Sequence, residues 1–148
     1  MQETWSSVMA EKILCAVDGT EHSAHAIAFA AELAKATGAE LTLLAVNELM
    51  TGYGHKGDVA THGWDDAELK GILDIGVAAA KKAGVAAAKT AGATSRDAAR
   101  AIVMFAEDEG IDHIVVGTGG KGGVKRLMLG SVSRDVVFRA HCPVTVVR

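Results

Sequence analysis

Hydrophobic positions along the chain fall into two patterns, which alternate from one end to the other. Five short runs are almost wholly apolar and are typical of strands buried on both faces: residues 13–17, 41–46, 85–91, 113–116 and 144–147. Four longer runs have helical spacing: residues 21–37, 64–83, 94–110 and 131–140. The alternation predicts an α/β fold with an open parallel five-stranded sheet and helices on both of its faces.

Local signals mark where the helices begin and end. Gly38 and Gly84 are plausible helix stops, and the second helix starts at Trp64 or Asp65. A cap made from Thr94, Ser95 and Asp97 is predicted to begin the third helix. We interpret the glycine-containing segment 47–63 as a long mobile loop and residues 1–11 as an N-terminal extension. Without repeats or linkers, residues 1–148 are predicted to form one domain.

Composition narrows the class of protein. The chain has 148 residues, 49% of them hydrophobic and 22% charged, which are globular values. A net charge of −3 argues against general nucleic-acid binding. No signal peptide begins the chain, and no apolar run approaches the roughly 18 residues of a membrane span. Together with Cys15 and Cys142, interpreted as buried free thiols, these features predict a cytoplasmic protein with no membrane contact.

A glycine-rich stretch, residues 117–131, carries the strongest chemical signal. It follows an apolar run and ends at Gly130-Ser131, where Ser131 is predicted to cap the next helix. Glycines let backbone N–H groups turn toward an anion, and a helix start adds unpaired donors and a positive dipole end. The stretch therefore predicts a site for a phosphorylated ligand. Three basic residues within it either clamp the phosphates or are simply solvated: Lys121, Lys125 and Arg126.

Other motifs that bind phosphates or metals fit less well. Gly117, Gly119 and Gly122 satisfy G-x-G-x-x-G, but a dinucleotide site needs it after the first strand, with an acid about 20 residues later. A P-loop sequence does not occur. Five residues of metal-ligating type lie close together in the sequence but have neither zinc nor calcium spacing, so we predict no metal site there: His55, Asp58, His62, Asp65 and Asp66.

Asp18 follows the first predicted strand. Such an aspartate can hold a ribose hydroxyl, bind a metal or accept a phosphoryl group, and it can equally be a turn or capping residue. The second nearby acid of a phosphoacceptor site is absent from Asp18-Gly19-Thr20. If the first and fourth strands are neighbours, Asp18 and the glycine-rich stretch face one crevice at the carboxyl ends of the strands.

Asp18 combined with the pattern G-x2-G-x9-G-S resembles the universal stress protein family, in its subgroup that binds ATP. The pattern is filled by Gly117, Gly120, Gly130 and Ser131. This resemblance extends over nearly the whole chain and implies strand order 3-2-1-4-5, as in adenine nucleotide alpha hydrolase-like folds. It also implies a homodimer joined through the last strand: Val144, Thr145, Val146 and Val147.

The same resemblance implies roles for individual residues. Asp18 would hydrogen-bond the ribose, while backbone around Ala16 and Val46 would frame the adenine. Gly117 and Gly120 would let the chain pass close to the ribose and phosphates. The phosphates would receive donors from the helix start, formed by Gly130, Ser131, Val132 and Ser133. Thr118-Gly119 departs from relatives with a bulkier second residue, but every signature glycine is intact.

Three functional hypotheses follow. The first is a dimeric ATP-binding stress-response or signalling module that acts on an unidentified downstream protein. The second is a slow ATPase or autophosphorylating enzyme, with Mg²⁺ or Mn²⁺ accompanying ATP. The third is a binder of AMP or cyclic AMP. We favour the first, with no catalytic residue assigned, because no general base stands out beside the glycine-rich stretch.

Overall fold

The computed structural model describes residues 10–54, 57–118 and 130–148. Within them, six strands form: β1 Lys12–Val17, β2 Glu40–Gly54, β3 Gly57–His62, β4 Lys89–Ser95, β5 His113–Gly117 and β6 Val144–Val147. Four helices accompany the strands: α1 Glu21–Thr37, α2 Asp66–Lys82, α3 Ala98–Asp108 and α4 Ser131–Arg139. Gly120, Lys121, Lys125 and Arg126 lie outside the described residues.

Five strands are parallel and run in the order β4-β2-β1-β5-β6 across the sheet. This is the predicted order 3-2-1-4-5 when the parallel strands alone are numbered, so the predicted fold is confirmed. The chain winds outward from β1 in one direction through β2 and β4, then returns to the other side of β1 as β5. The carboxyl ends of β1 and β5 therefore mark the place where the winding direction reverses.

Alternating side chains of the central strand supply both faces of the sheet. Ile13 and Cys15 are fully buried on the face covered by α1 and α2. Leu14 is fully buried on the opposite face, against Ile102 of α3 and Val136 of α4. Two apolar layers thus lie on either side of the sheet, and they account for the continuous apolar runs of the strands.

The prediction of a loop over residues 47–63 is wrong. β2 continues beyond the parallel sheet, and its second half pairs antiparallel with β3, in a register from Leu49 opposite His62 to Gly54 opposite Gly57. The glycines that suggested a loop lie within and beside this hairpin. Cross-strand hydrogen bonds satisfy the backbone there without requiring a strongly apolar sequence.

The third parallel strand lies four residues later than predicted, at Lys89–Ser95 rather than residues 85–91. Val85 instead closes the end of α2, since its N–H donates to the carbonyl of Ala80 at 2.9 Å. Of the three predicted capping residues for α3, Asp97 is the N-cap and accepts from the N–H of Arg100 at 3.0 Å. Thr94 and Ser95 belong to β4.

Candidate functional site

A cleft of about 630 Å³ opens at the carboxyl ends of β1 and β5 and at the end of the parallel part of β2. Its size lies within the range typical of small-molecule sites. Seven of the nine predicted site residues line it: Ala16, Asp18, Val46, Gly117, Ser131, Val132 and Ser133. Gly130 immediately precedes the lining residues of α4, whereas Gly120 lies outside the described part of the chain.

The turn after β1 forms one wall of this cleft. Asp18 Oδ1 accepts from the N–H of Thr20 at 2.9 Å and from its hydroxyl at 2.5 Å. Thr20 in turn caps α1 by accepting from the N–H of Ser23 at 3.3 Å. Asp18 is exposed, and Oδ2 accepts no hydrogen bond from any described residue. The carboxylate is thus oriented through one oxygen, on a residue that lines the cleft.

The start of α4 forms the facing wall, and it is built differently from the prediction. Gly130 is the N-cap, while Ser131 is the first residue inside the helix. Within the described residues no side chain caps this helix start. Ser133 is 3% exposed, and its hydroxyl donates to the carbonyl of Gly130 at 3.0 Å. Among the described residues, no side chain therefore competes with an anion for the first-turn N–H groups and the helix dipole.

Gly117 has a packing requirement of its own. A Cβ atom added there would lie 2.8 Å from the carbonyl oxygen of His22, in the first turn of α1. Backbone cannot easily yield to such a contact, so only glycine fits. The close approach of β5 to α1 explains this glycine without any ligand, although the residue also lines the cleft.

A third wall comes from the end of β2 and the chain just before α2. Val46, Glu48, Gly63 and Trp64 all line the cleft there. Asn47 is buried, with 4% of its surface exposed. Its Oδ1 accepts a hydrogen bond from the N–H of Trp64 at 3.1 Å, and its Nδ2 donates to the Trp64 carbonyl at 2.7 Å. This wall therefore depends on the hairpin, in the segment whose sequence predicted a loop.

Several lining residues were not predicted as site residues: Thr20, His22, Ser23, Glu48 and Trp64. The role of Thr20 could have been predicted from the sequence, because Asp-x-Thr before a helical run is a turn and capping signal. His22, the second residue of α1, also borders the cleft. Nothing in local spacing indicates Glu48 or Trp64.

Burial suppresses the reactivity of the thiol closest to this site. Desolvation, followed by the negative charge of Asp18, raises the pKa of Cys15 to about 12. Cys15 is therefore a neutral thiol at physiological pH and belongs to the core. Both cysteines are free thiols; Cys15 is buried as predicted, whereas Cys142 is only partly buried. Among the described residues no group of three or more His, Cys, Asp or Glu is placed to hold a metal ion.

None of the helices in the described ranges is long and apolar enough to span a bilayer.

At the start of β5, away from the cleft, His113 Nε2 and Thr145 Oγ1 share a hydrogen bond of 2.8 Å. Burial lowers the pKa of His113 below its usual value, against the smaller opposing effect of Asp112.

Comparison with known proteins links this architecture to one family. The family model described as "Universal stress protein family" matches residues 9–148. Universal stress protein YxiE of Bacillus subtilis (strain 168) is 37% identical over 151 residues, covering 95% of this chain and 100% of the relative.

Solved structures agree at the level of the fold. The universal stress protein from Archaeoglobus fulgidus has a TM-score of 0.74 and 27% identity, with 93% of this chain and 98% of that chain covered. A universal stress protein from the same organism, in complex with dAMP, has a TM-score of 0.71 and 25% identity, with 95% and 99% covered.

Proposed function

The chain belongs to the universal stress protein family, and we propose that its cleft binds an adenine nucleotide, with ATP as the ligand. The observation that carries this proposal is the pairing of two unlike walls across one cleft. One wall presents the Asp18 carboxylate, and the other presents the uncapped start of α4. A carboxylate suits the hydroxyls of a ribose, whereas unpaired helix N–H groups suit phosphates. The dAMP complex of a structural relative supports the same ligand class.

Each proposed contact follows from where a residue lies. The phosphates lie against the N–H groups of residues 131–133, and the ribose lies beside Asp18. Backbone at Ala16 and Val46 frames the adenine. Gly117, which lines the cleft, belongs to the proposed site, and Gly120, outside the described residues, is included because it fills the family's glycine pattern. Mg²⁺ or Mn²⁺ would enter bound to the triphosphate, and the Ser131 hydroxyl, which lines the cleft at the start of α4, is an oxygen ligand of suitable chemistry.

The test is calorimetric titration with ATP, ADP, AMP and cyclic AMP, with and without Mg²⁺. We expect Asp18→Asn to weaken ATP binding, because the amide keeps the acceptor for Thr20 but replaces the free oxygen and its charge. Asp74→Asn is the matched control, since Asp74 is exposed on α2 and pairs with Lys70 at 3.0 Å. Wild-type protein that binds no adenine nucleotide would contradict the proposal, as would equal binding by Asp18→Asn.

We propose a regulatory role in which nucleotide state changes the surface offered to a downstream protein in the cytoplasm. The alternative is a slow ATPase or autophosphorylating enzyme, and it predicts ADP formation or protein labelling over hours with Mg²⁺ or Mn²⁺. ATP binding would support the regulatory role if ADP formation stays at the level of the protein-free background and the protein is not labelled. Turnover abolished by Asp18→Asn would favour the enzyme.

We further propose that β6, Val144–Val147, pairs with the same strand of a second copy. In the described structure β6 pairs only with β5. On that side the carbonyl of Pro143, just before the strand, accepts from the N–H of Ile114, and the carbonyl of Val147 accepts from the N–H of Thr118. Alternation then directs the N–H groups of Val144 and Val146 outward, as an open strand edge. Phe138 on the neighbouring helix α4 is 81% exposed and adds apolar surface near this edge.

Sedimentation velocity tests this assembly. Val146→Pro removes one outward donor, so we expect it to shift dimer to monomer. Val146→Ala is the control, because it loses similar packing on α3 and α4 but keeps the N–H. A dimer unaffected by proline, or a monomeric wild type, would show that β6 is not the contact.

A further inference from the structure

The β2 side of the cleft carries two side chains, Glu48 and Trp64, that the proposed phosphate and ribose contacts do not involve. Three hydrogen bonds join the end of the parallel part of β2 to the segment before α2. The N–H of Gly63 donates to the carbonyl of Glu48 at 3.2 Å, and the Asn47 amide makes two bonds with the Trp64 backbone. Glu48 and Trp64 are therefore fixed next to each other on one rim, called here the hairpin rim.

Sheet topology places the hairpin rim at the opposite end of the cleft from α4. β1 separates β2 from β5, so the rim and the end of β5 are about 10 Å apart, or two strand spacings. Only an elongated ligand contacts both ends. The uncapped start of α4 attracts phosphate, whereas the Glu48 carboxylate repels it. The two ends therefore orient a nucleotide with its base toward the hairpin rim.

The side chains of the hairpin rim match a base in two respects. Trp64 is half-buried, and its indole N–H makes no hydrogen bond to any described residue. An indole held by its backbone rather than by its ring offers a face for stacking on a heterocycle. Glu48 is exposed, and an ionised carboxylate only accepts hydrogen bonds, so it selects an exocyclic amino group.

From this geometry we propose that the hairpin rim selects the base: Trp64 stacks on it, and Glu48 accepts a hydrogen bond from its 6-amino group. This inference rests on the proposed binding of an adenine nucleotide and adds the two residues that decide which base is accepted. The probe that isolates the amino group is purine riboside 5′-triphosphate, which lacks only that group relative to ATP.

The experiment titrates both triphosphates into wild type and four variants. Wild type should prefer ATP by about tenfold, as loss of one charge-assisted hydrogen bond implies. Glu48→Gln should reduce that preference to about twofold or less, whereas Glu32→Gln, an exposed acid on α1, should keep it. Trp64→Ala should weaken both ligands by roughly tenfold, and Trp64→Phe should retain most of the affinity.

A fluorescence measurement removes any dependence on whether Trp64→Ala folds. The chain has two tryptophans, so in Trp5→Phe the emission comes from Trp64 alone, and ATP should quench it. ATP binding without quenching would contradict base selection by the hairpin rim, and so would an unchanged preference of Glu48→Gln for ATP over purine riboside 5′-triphosphate. Either result would leave the proposed function intact. A wild type that binds neither triphosphate overturns both.

Discussion

The turn that begins α1 and the turn that begins α4 face each other across the cleft, yet their backbone donors are satisfied differently. At α1, Thr20 caps the helix and also supplies two hydrogen bonds to Asp18. At α4, the N-cap is Gly130, and no described side chain caps the helix with a hydrogen bond. The helices α2 and α3 follow the first pattern, with Asp65 and Asp97 as caps.

This difference separates residues that serve the fold from residues left for a ligand. The turn at α1 is complete within the protein, so it can be rigid before anything binds. The turn at α4 leaves backbone donors that no described side chain caps, so they are open to solvent or an anion as far as the described residues go. Two of the signature glycines differ in the same way. Gly117 is required by its close contact with α1, whereas Gly130 has backbone angles that other residues also adopt.

The largest effect should come from the glycine that serves the fold. Gly117→Ala places a Cβ atom 2.8 Å from the His22 carbonyl oxygen, and we expect a loss of about 1–3 kcal/mol in the free energy of unfolding. Gly117→Val should lose more and be poorly folded. Urea denaturation measures this, with Gly71→Ala as the control because nothing lies within 4 Å of that position in α2.

Gly71→Ala should leave stability equal or raise it, since alanine is the better helix former. Equal stability of Gly117→Ala and wild type would show that β5 moves away from α1 at little cost. Loss of ATP binding in a Gly117 variant says nothing about ligand contact unless the variant remains folded. The substitution is therefore a test of packing.

The next effect should come from giving α4 the kind of cap that α1 has. Gly130 has φ −60° and ψ 157°, which an L-residue adopts without strain. Gly130→Asp should cap the helix and stabilise the free protein by a few tenths of a kcal/mol, yet weaken ATP binding by at least about tenfold. The carboxylate competes for the donors and repels the phosphates.

Gly130→Ala separates these effects because it adds a side chain with no capping oxygen and no charge. Calorimetric titration and urea denaturation on the same samples give both quantities. If Gly130→Asp binds ATP as tightly as wild type, the start of α4 is not the phosphate site. The contrast between the two turns would then have no bearing on ligand binding.

Features of the fold and the site that depend on local sequence patterns could be predicted, whereas features that depend on tertiary contacts could not. The apolar runs predicted five buried strands, since burial on both faces requires them. Their order was carried by the family resemblance, and the rule on winding reversal then brought Asp18 and Gly117 to one crevice. The weakly apolar strand Lys89–Ser95 was displaced in the prediction, because threonine, alanine and glycine alternate there with little contrast.

The missed features all involve contacts between residues that no local pattern in the sequence connects. The hairpin over 49–62 is made by pairing between two glycine-containing stretches, each of which is typical of a loop when read alone. The position of Trp64 is set by the Asn47 amide, 17 residues earlier. The need for glycine at 117 arises from the backbone of α1. No periodicity in the sequence encodes these contacts.

A moderate effect should follow from making α1 resemble α4. Thr20→Ala removes the cap and the hydroxyl that donates to Asp18, and we expect a loss of about 1 kcal/mol in the free energy of unfolding. Thr20→Ser keeps both hydrogen bonds and should remain close to wild type. Urea denaturation of the three proteins provides the measurement. An Ala variant as stable as the Ser variant would mean that the turn at α1 holds without its cap.

The smallest effect concerns α3, whose cap is charged. Hydrogen bonding to Arg139, and then to the N–H of Arg100, lowers the pKa of Asp97 below its ordinary value. A carboxylate with a lowered pKa in the folded state stabilises the protein above the unfolded-state pKa, and this contribution is lost as pH falls through the folded-state value. Stability that depends on Asp97 should therefore decline only below about pH 4.

Asp97→Asn tests this, because asparagine keeps a capping oxygen for Arg100 but does not titrate. Both residues of the Asp97–Arg139 pair are substantially exposed, so the difference between variant and wild type should be small at neutral pH. Thermal denaturation from pH 6 to pH 2.5 should show the two proteins converging as the carboxylate is protonated. A constant difference over that range would mean that Asp97 holds α3 through geometry alone, as an uncharged cap does, and that its charge adds nothing to the start of this helix.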